Sequence, residues 1–423
     1  MESQSGIGSM VQLKALGPQN EYTSSCPNTT PFIKTYKRHF DFSSFQKEEK
    51  HPDINFGQTM IFNIDPRNHG DLLGTNILKF ELPKLKQIDG IYDTYYVDSV
   101  GHQIIESVQF KVGNLVLDSF DGDWLEIYDH INQDERKFNR MNWLVKRGQE
   151  KRDRGINYSF NVYVPLRFFF EQYIGNALPL CALTQQRIQI VVKTRSLVDC
   201  VRTTGINVYD EPERIKVFDT DDTPTIQSIT LIMTEYILDT PLLNYFKTHE
   251  LSYLVKTGVK APPVDFTGSS DFSEDKVFRY YPDTNAVVSL FAWVFRNPDS
   301  FSGTTDNGVS RWQFQEMKKA GIYLSGDWID KNKLGDENYW RYLQPSMHLT
   351  ATPRRKVYTW CTGLKYRPEE PQDYGSIDFS RVKGRDFYFE FELDEINRQP
   401  TIFMGVVNYL TISNGVIQQY FIY

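Results

Sequence analysis

Cysteine, histidine and long apolar runs are all scarce in this 423-residue chain, and each scarcity removes a class of function. The four cysteines (Cys26, Cys181, Cys200, Cys361) lie too far apart for a disulfide framework or a zinc ribbon, and they fit reduced thiols. Seven histidines (His39, His51, His69, His102, His130, His249, His348) never fall at His-x-x-x-His spacing, so no converging metal-ligand set is expected. His102 and His348 read instead as hydrogen-bonded residues at strand ends. No glycine-rich phosphate loop is present, which leaves the expectation of cofactors at none. The longest strongly apolar run, Val287 to Phe295, is about half of what a bilayer-spanning helix needs. Met1 to Met10 has neither the basic start nor the apolar core of a secretory signal, so a soluble cytoplasmic protein is expected. Positive charge is outnumbered as well: the net charge of −7 does not steer the whole chain toward nucleic acid.

What the chain does have is apolar and aromatic bulk. Hydrophobic residues make up 40% and aromatics 14%, with 25 Tyr and 29 Phe, types that favour strands. Period-two alternation recurs along the whole length. Leu78, Phe80 and Leu82 alternate with Lys79 and Glu81; Val108, Phe110 and Val112 run into Gly113-Asn114, a two-residue hairpin signal. Phe160, Val162 and Val164 follow, then Ile188, Ile190 and Val192. Later runs are Ile229, Leu231 and Met233, then Phe387, Phe389, Phe391 and Leu393, and lastly Ile402, Met404 and Val406. Val287 to Phe295 is apolar on both faces, as a covered central strand would be.

Two helices interrupt the pattern. Asp121 or Asp123 caps one whose Trp124, Ile127, Tyr128 and Ile131 fall at helical spacing; Asp239, Thr240 and Pro241 open the other. Asn132 to Gly155, dense in charge, reads as a long exposed connection. An acidic stretch with Asp219, Asp221 and Asp222 before Thr-Pro marks the expected division. The resulting plan is an extended arm over 1–27, a first domain over 28–224 and a second over 225–423. Many short strands with Gly, Pro and Asn punctuation describe a β-sandwich or jelly roll, present twice.

Candidate chemistry is thin. Asp121 and Asp123, or Glu369 and Glu370, would need to face each other roughly 5–9 Å apart to hydrolyse a sugar, and they read better as a helix cap and a turn before Pro371. Lys146, Arg147, Lys151, Arg152 and Arg154 form a basic cluster, but Glu150 and Asp153 sit inside it, which suits a solvated loop. Asn28-Thr-Thr and Asn157-Tyr-Ser match the glycosylation acceptor pattern. The densest feature is Val164-Pro-Leu-Arg-Phe-Phe-Phe-Glu-Gln-Tyr173, followed by Ala177-Leu-Pro-Leu-Cys-Ala-Leu183. Such bulk must be buried against a sheet or a neighbouring subunit.

Several of these stretches, in this order, resemble the double jelly-roll major capsid proteins of nucleocytoplasmic large DNA viruses. Phe32-Ile-Lys-Thr-Tyr-Lys-Arg-His-Phe-Asp-Phe42 is similar to the family's opening, and Gly101-His-Gln-Ile-Ile-Glu-Ser-Val108 with Asp123-Trp-Leu125 to its first hairpin and helix. Val164 to Leu183 resembles its Val-Pro-Leu-Pro-Phe-x-Phe and Ala-Leu-Pro-Leu-x-Ala-Leu run, with Arg167 where Pro is usual. Gln344-Pro345 with His348, Phe379-Ser-Arg381, and Val407-Asn-Tyr409 with Gly415 continue the series. The resemblance implies an all-β chain of two consecutive eight-stranded jelly-roll β-sandwiches with short helices in the loops. It implies a structural, non-enzymatic capsid protein that forms a homotrimer, a pseudo-hexagonal capsomer tiling an icosahedral shell. Phe168, Phe169, Phe170 and Tyr173 are the candidate trimer-interface residues, with core packing as the alternative. Implied partners are further copies, minor capsid proteins and an internal membrane layer, with no direct nucleic acid; the implied place is the virion, assembled in host cytoplasm. A minor capsid or scaffolding protein and a carbohydrate-binding β-sandwich are the alternatives.

Overall fold

The computed structural model describes residues 17–24, 26, 28, 30, 32–34, 36–85, 94–150, 153–203, 224–262, 277–282, 284–296, 311–329, 335–382, 386–393 and 399–420. The acidic stretch at Asp219, Asp221 and Asp222, and Lys151 and Arg152, lie outside them. The chain forms two units, Met1–Asp41 and Phe42–Tyr423. The first unit contains a helix, Pro18–Ser24, where an extended arm was expected. Proline opens it at a position whose missing N–H has no helical partner anyway. The second unit starts at Phe42, where the first strand begins, rather than at residue 28.

The first sandwich is built from β1 (Phe42–Ile54), β2 (Thr59–Ile64), β3 (Leu72–Leu82), β4 (Ile105–Val112), β5 (Leu115–Phe120), β6 (Phe160–Pro165), β7 (Ile188–Thr194) and β8 (Ile226–Leu238). One sheet runs β1-β8-β3-β6 and the other β2-β7-β4-β5. The second sandwich uses β9 (Leu251–Lys260), β10 (Val277–Tyr280), β11 (Val287–Arg296), β12 (Lys319–Leu324), β13 (Asp327–Trp328), β14 (Tyr358–Cys361), β15 (Phe387–Glu392) and β16 (Gln399–Ser413). Its sheets run β9-β16-β11-β14 and β10-β15-β12-β13. Numbered within each sandwich, both orders are 1-8-3-6 and 2-7-4-5, the jelly-roll arrangement. One topology therefore occurs twice.

That topology moves the division between the sandwiches. β8 lies past residue 224, yet it pairs antiparallel with β1 (Glu49 with Leu231) and with β3 (Leu78 with Leu231). The sheet pairing carries the first sandwich through Leu238. The polar punctuation before residue 224 lies in the connection between the seventh and eighth strands, which local composition cannot tell from a linker.

Alternation places the cores. Leu78, Phe80 and Leu82 of β3 meet Phe62, Phe110, Ile190 and Leu231 inside the first sandwich, and all are sealed from solvent. Phe389 and Phe391 of β15 meet Phe291, Trp293 and Phe295 inside the second. β11 divides its side chains: those three rings fill the second core, while Leu290, Ala292 and Val294 belong to the first sandwich's apolar cluster. Its two-sided apolarity thus marks the strand that joins the sandwiches.

Helices α1 (Gly122–Asn132) and α2 (Glu135–Val145) lie between β5 and β6. α2 falls in the segment expected as an exposed connection. Asp134 caps it by accepting from the Lys137 N–H at 2.8 Å, and Phe138, Met141 and Val145, at helical spacing, are buried. Helix α3 (Thr240–Thr248) follows β8, entered from Asp239 with Pro in its first turn as expected.

Candidate functional site

Helix α1 is where the two sandwiches meet, and its sequence shows why. Asp121 caps it, one carboxylate oxygen accepting from the Trp124 N–H at 2.8 Å. Trp124, Ile127, Tyr128 and Ile131 line an apolar stripe, while Asp123, Glu126 and His130 recur at helical spacing elsewhere on the helix. On an isolated helix the charged residues would face water. Here all eleven residues are buried. The Trp124 indole lies across Gly258 of β9, so close that a Cβ on residue 258 would fall 2.0 Å from the ring, and its centroid is 5.6 Å from that of Phe403. Only glycine leaves room for this approach.

Charge on the polar side is answered from the second sandwich. Asp123, fully buried, receives Arg296 at 2.9 Å and a two-pronged Arg311 at 3.0 Å, with Lys260 at 3.5 Å. Burial pushes its carboxyl up, but the Arg296 and Arg311 guanidinium charges more than offset that and hold it well below the usual carboxylate range. One turn on, Glu126 accepts from Arg147 at 2.7 and 2.9 Å and pairs with His102 at 2.7 Å. Arg355 of the second sandwich reaches Glu126 at 3.3 Å and Asp98 at 3.0 Å. Burial again opposes ionisation, and Arg147 and Arg355 overcome it. The Trp312 indole N–H donates to the Asp98 carbonyl at 2.9 Å. His130, sealed beside this network, is driven by burial down to about 4 and stays neutral near pH 7.

The expected interface aromatics lie elsewhere. Phe168, Phe169 and Phe170 are 0, 3 and 1% exposed and pack in tilted or edge-on contact with Phe110, Phe168 also with Phe120, inside the first core, at centroid distances of 5.0–6.2 Å. Burial within a single chain supports core packing, the alternative to an interface role, for these three. Tyr173 alone of the four is half-buried. Two carboxyls hold this segment: Asp118 accepts from the Phe169 N–H at 3.0 Å, and Glu171 from the Arg167 N–H at 3.1 Å and the Asn76 amide at 2.9 Å. Burial raises Asp118 to about 7 and Glu171 to about 8. Arg167, where proline would be usual, adopts φ 64°, a left-handed conformation that proline's ring forbids.

Other candidates resolve individually. Asp123 is a buried ion-pair partner, not a cap, and Glu370 pairs with Lys365 at 3.2 Å. Within the basic cluster, Arg147 is buried on Glu126 and Asp129 instead of being solvated. His102 sits in the helical turn Val100–Ile104 immediately before β4, and His348 ends a helical turn where its Nδ1 meets the Leu364 carbonyl at 2.8 Å. Asn28 and Asn157 are both exposed. Among the described residues, no three His, Cys, Asp or Glu side chains converge as a metal site would require. Sequence reasoning missed the junction because its partners are 173 and 188 residues apart, and charges at helical spacing read as a solvated face. The available signal was the unusual match of a strand apolar on both sides with a capped helix rich in both rings and acids.

Residues 30–237 match the family model described as the major capsid protein N-terminus. Capsid protein 1 of Acanthamoeba polyphaga mimivirus is 25% identical over 391 residues, covering 86% of this chain and 61% of that protein, so the chain spans less than two thirds of that relative's length. The major capsid protein of Pyramimonas orientalis virus is 23% identical over 436 residues, 97% of this chain and 98% of the relative. Among solved structures, a chain of the PBCV-1 virus capsid superposes with a TM-score of 0.72 at 18% identity, over 93% of this chain and 100% of that one, a likeness of fold.

Proposed function

The chain belongs to the double jelly-roll major capsid protein family of nucleocytoplasmic large DNA viruses, and on that premise we propose that three copies close into a pseudo-hexagonal capsomer that tiles an icosahedral shell. The observation that carries this is the repeated strand order, 1-8-3-6 with 2-7-4-5, in two sandwiches fused through one buried junction. Three copies of such a chain present six similar sandwiches in a ring, so a threefold particle has a nearly sixfold outline. Ring closure needs a heterologous joint in which different surfaces of successive copies meet.

The chain's role is structural and its place is the virion shell, with assembly in the host cytoplasm. Asp123 and Glu126, both fully buried, are engaged by Arg296, Arg311 and Arg355 of the second sandwich, which supports building over catalysis. The N-terminal unit, Met1–Asp41, carries exposed Tyr22, Phe32, Tyr36 and Phe40, suited to minor capsid proteins or an internal membrane layer. The net charge of −7 supports an assembly that does not contact nucleic acid directly.

Light scattering on the purified full-length chain, followed by electron microscopy, tests the reading. A three-chain mass and sheet-like hexagonal arrays are expected. Trimers that never form arrays would favour a minor capsid or scaffolding role, and a stable single-chain species would overturn the capsomer.

A further inference from the structure

Resting on the capsomer reading, we propose that Tyr342, Leu343 and Met347 dock on the outer face of β1-β8-β3-β6 of a second copy, over Ile77, Tyr163 and Ile232. The argument comes from the internal repeat. α1 lies between the fifth and sixth strands of the first sandwich, β5 and β6; the helical stretch Tyr339–His348 lies between the fifth and sixth strands of the second, β13 and β14. The two occupy the same place in the same topology.

Their surroundings differ. All of α1 is buried, because the second sandwich covers it: Trp124 fits over Gly258 and against Phe403, and Leu290, Ala292 and Val294 join the same apolar cluster. Phe403, Gly258 and these β11 residues lie on the sheet β9-β16-β11-β14. The equivalent stretch in the second sandwich lacks such a cover among the described residues of one chain. Tyr342, Leu343 and Met347 are 43, 49 and 53% exposed, although Gln344 and Pro345 between them are buried. Leu343 and Met347 are four residues apart and share a helical face. Leu364, 78% exposed, sits beside them, since its carbonyl meets the His348 ring at 2.8 Å.

The matching sheet of the first sandwich also carries apolar side chains on its outer face. Ile232 pairs with Ile77, Ile77 with Pro165, and Lys79 with Tyr163, which puts these side chains on the side away from the core. Ile77, Tyr163 and Ile232 are half-buried there, each keeping part of its surface open. Thr75 with Thr234 at 2.9 Å and Lys79 with Glu81 at 2.9 Å form a polar surround. An apolar centre with a polar rim is the make-up of a docking surface. Each chain thus carries one satisfied helix-on-sheet joint and the two unsatisfied halves of another. The halves are different surfaces, so one copy's helical stretch can meet only the next copy's sheet, and such joints can close into a ring.

The test uses the full-length chain. Leu343→Asp with Met347→Asp, and separately Ile232→Asp, are expected to fall from a three-chain to a one-chain mass, with unchanged circular dichroism. Trp143→Asp, at a 68% exposed ring on α2, is the control that keeps the three-chain mass. Mixing the two variants is expected to give a two-chain species, because one intact joint can form but the ring cannot close. If the unaltered chain trimerises and both variants still do, the joint is elsewhere and the capsomer reading stands. If the unaltered chain is itself a single copy, both fall together. Should a variant fail to fold, Met347→Cys with Ile232→Cys in a Cys26→Ser background decides: an oxidised, covalent three-chain ring is expected, and failure to cross-link overturns the joint.

Discussion

Asp121 and Asp123 are two positions apart on one helix end, and removing their carboxylates should have very different consequences. Asp121 makes a cap, so Asp121→Ala is expected to cost about 1 kcal/mol. Asp123 neutralises two guanidinium groups in a sealed site, and Asp123→Ala takes the carboxylate they share out of a buried ion-pair cluster, at a cost of about 3–5 kcal/mol. Chemical denaturation of the two variants side by side measures the difference; equal losses would mean that the Asp123 pairs contribute no more than a cap. Gly258→Val drives a side chain into the Trp124 ring and is expected to lower the unfolding midpoint through overpacking, on the order of 1–3 kcal/mol.

The titrations at residue scale have opposite signs. Glu126 and Asp123 have folded pKa values below their unfolded ones, so their stabilisation is complete above the unfolded value and is lost as pH falls. Glu171 is raised from 4.5 to about 8: the folded state keeps a proton that the unfolded state has released, and its contribution to stability declines as pH rises between these values. Glu171→Gln, which cannot ionise, is therefore expected to lose less stability than the unaltered chain between roughly pH 5 and pH 8. Thermal unfolding across that range checks it, and parallel curves would refute the assignment.

At the scale of elements, β8 is the decisive strand. Leu231 is fully buried and pairs with both β1 and β3, so Leu231→Ala is expected to destabilise the first sandwich by about 2–5 kcal/mol, although it lies past the polar stretch that resembled a linker. Hydrogen exchange should show β1 and β3 losing protection in that variant before β12 and β15 do. The outcome would be reversed if β8 belonged to the second sandwich. β11 shows the complementary case: its alternating rings and aliphatics serve two cores at once, so damage there should loosen both.

For the whole molecule, the repeated jelly roll makes a chain with near-equivalent ends and one internal joint. α1 and the second sandwich's sheet satisfy that joint within the copy; Tyr342, Leu343 and Met347 face solvent in the equivalent place. An interface assembled from exposed side chains is also consistent with Phe168, Phe169 and Phe170 being core. Phe169→Ala should accordingly cost about 3–5 kcal/mol of stability in the single chain, before any effect on association.

The amino-acid sequence alone determined the strands, because period-two alternation reports which face of a strand is buried, and it determined the Asp121 cap and the Gly113-Asn114 turn, because those are local chemistry. It also carried the family likeness, in motifs spread along the chain. Tertiary structure alone decided which strands share a sheet, and so where one sandwich ends, because the first and eighth strands pair across more than a hundred intervening residues. It also decided that the acids of α1 are buried and arginine-bound, since a charged helical face looks the same in sequence whether water or a second sandwich lies against it.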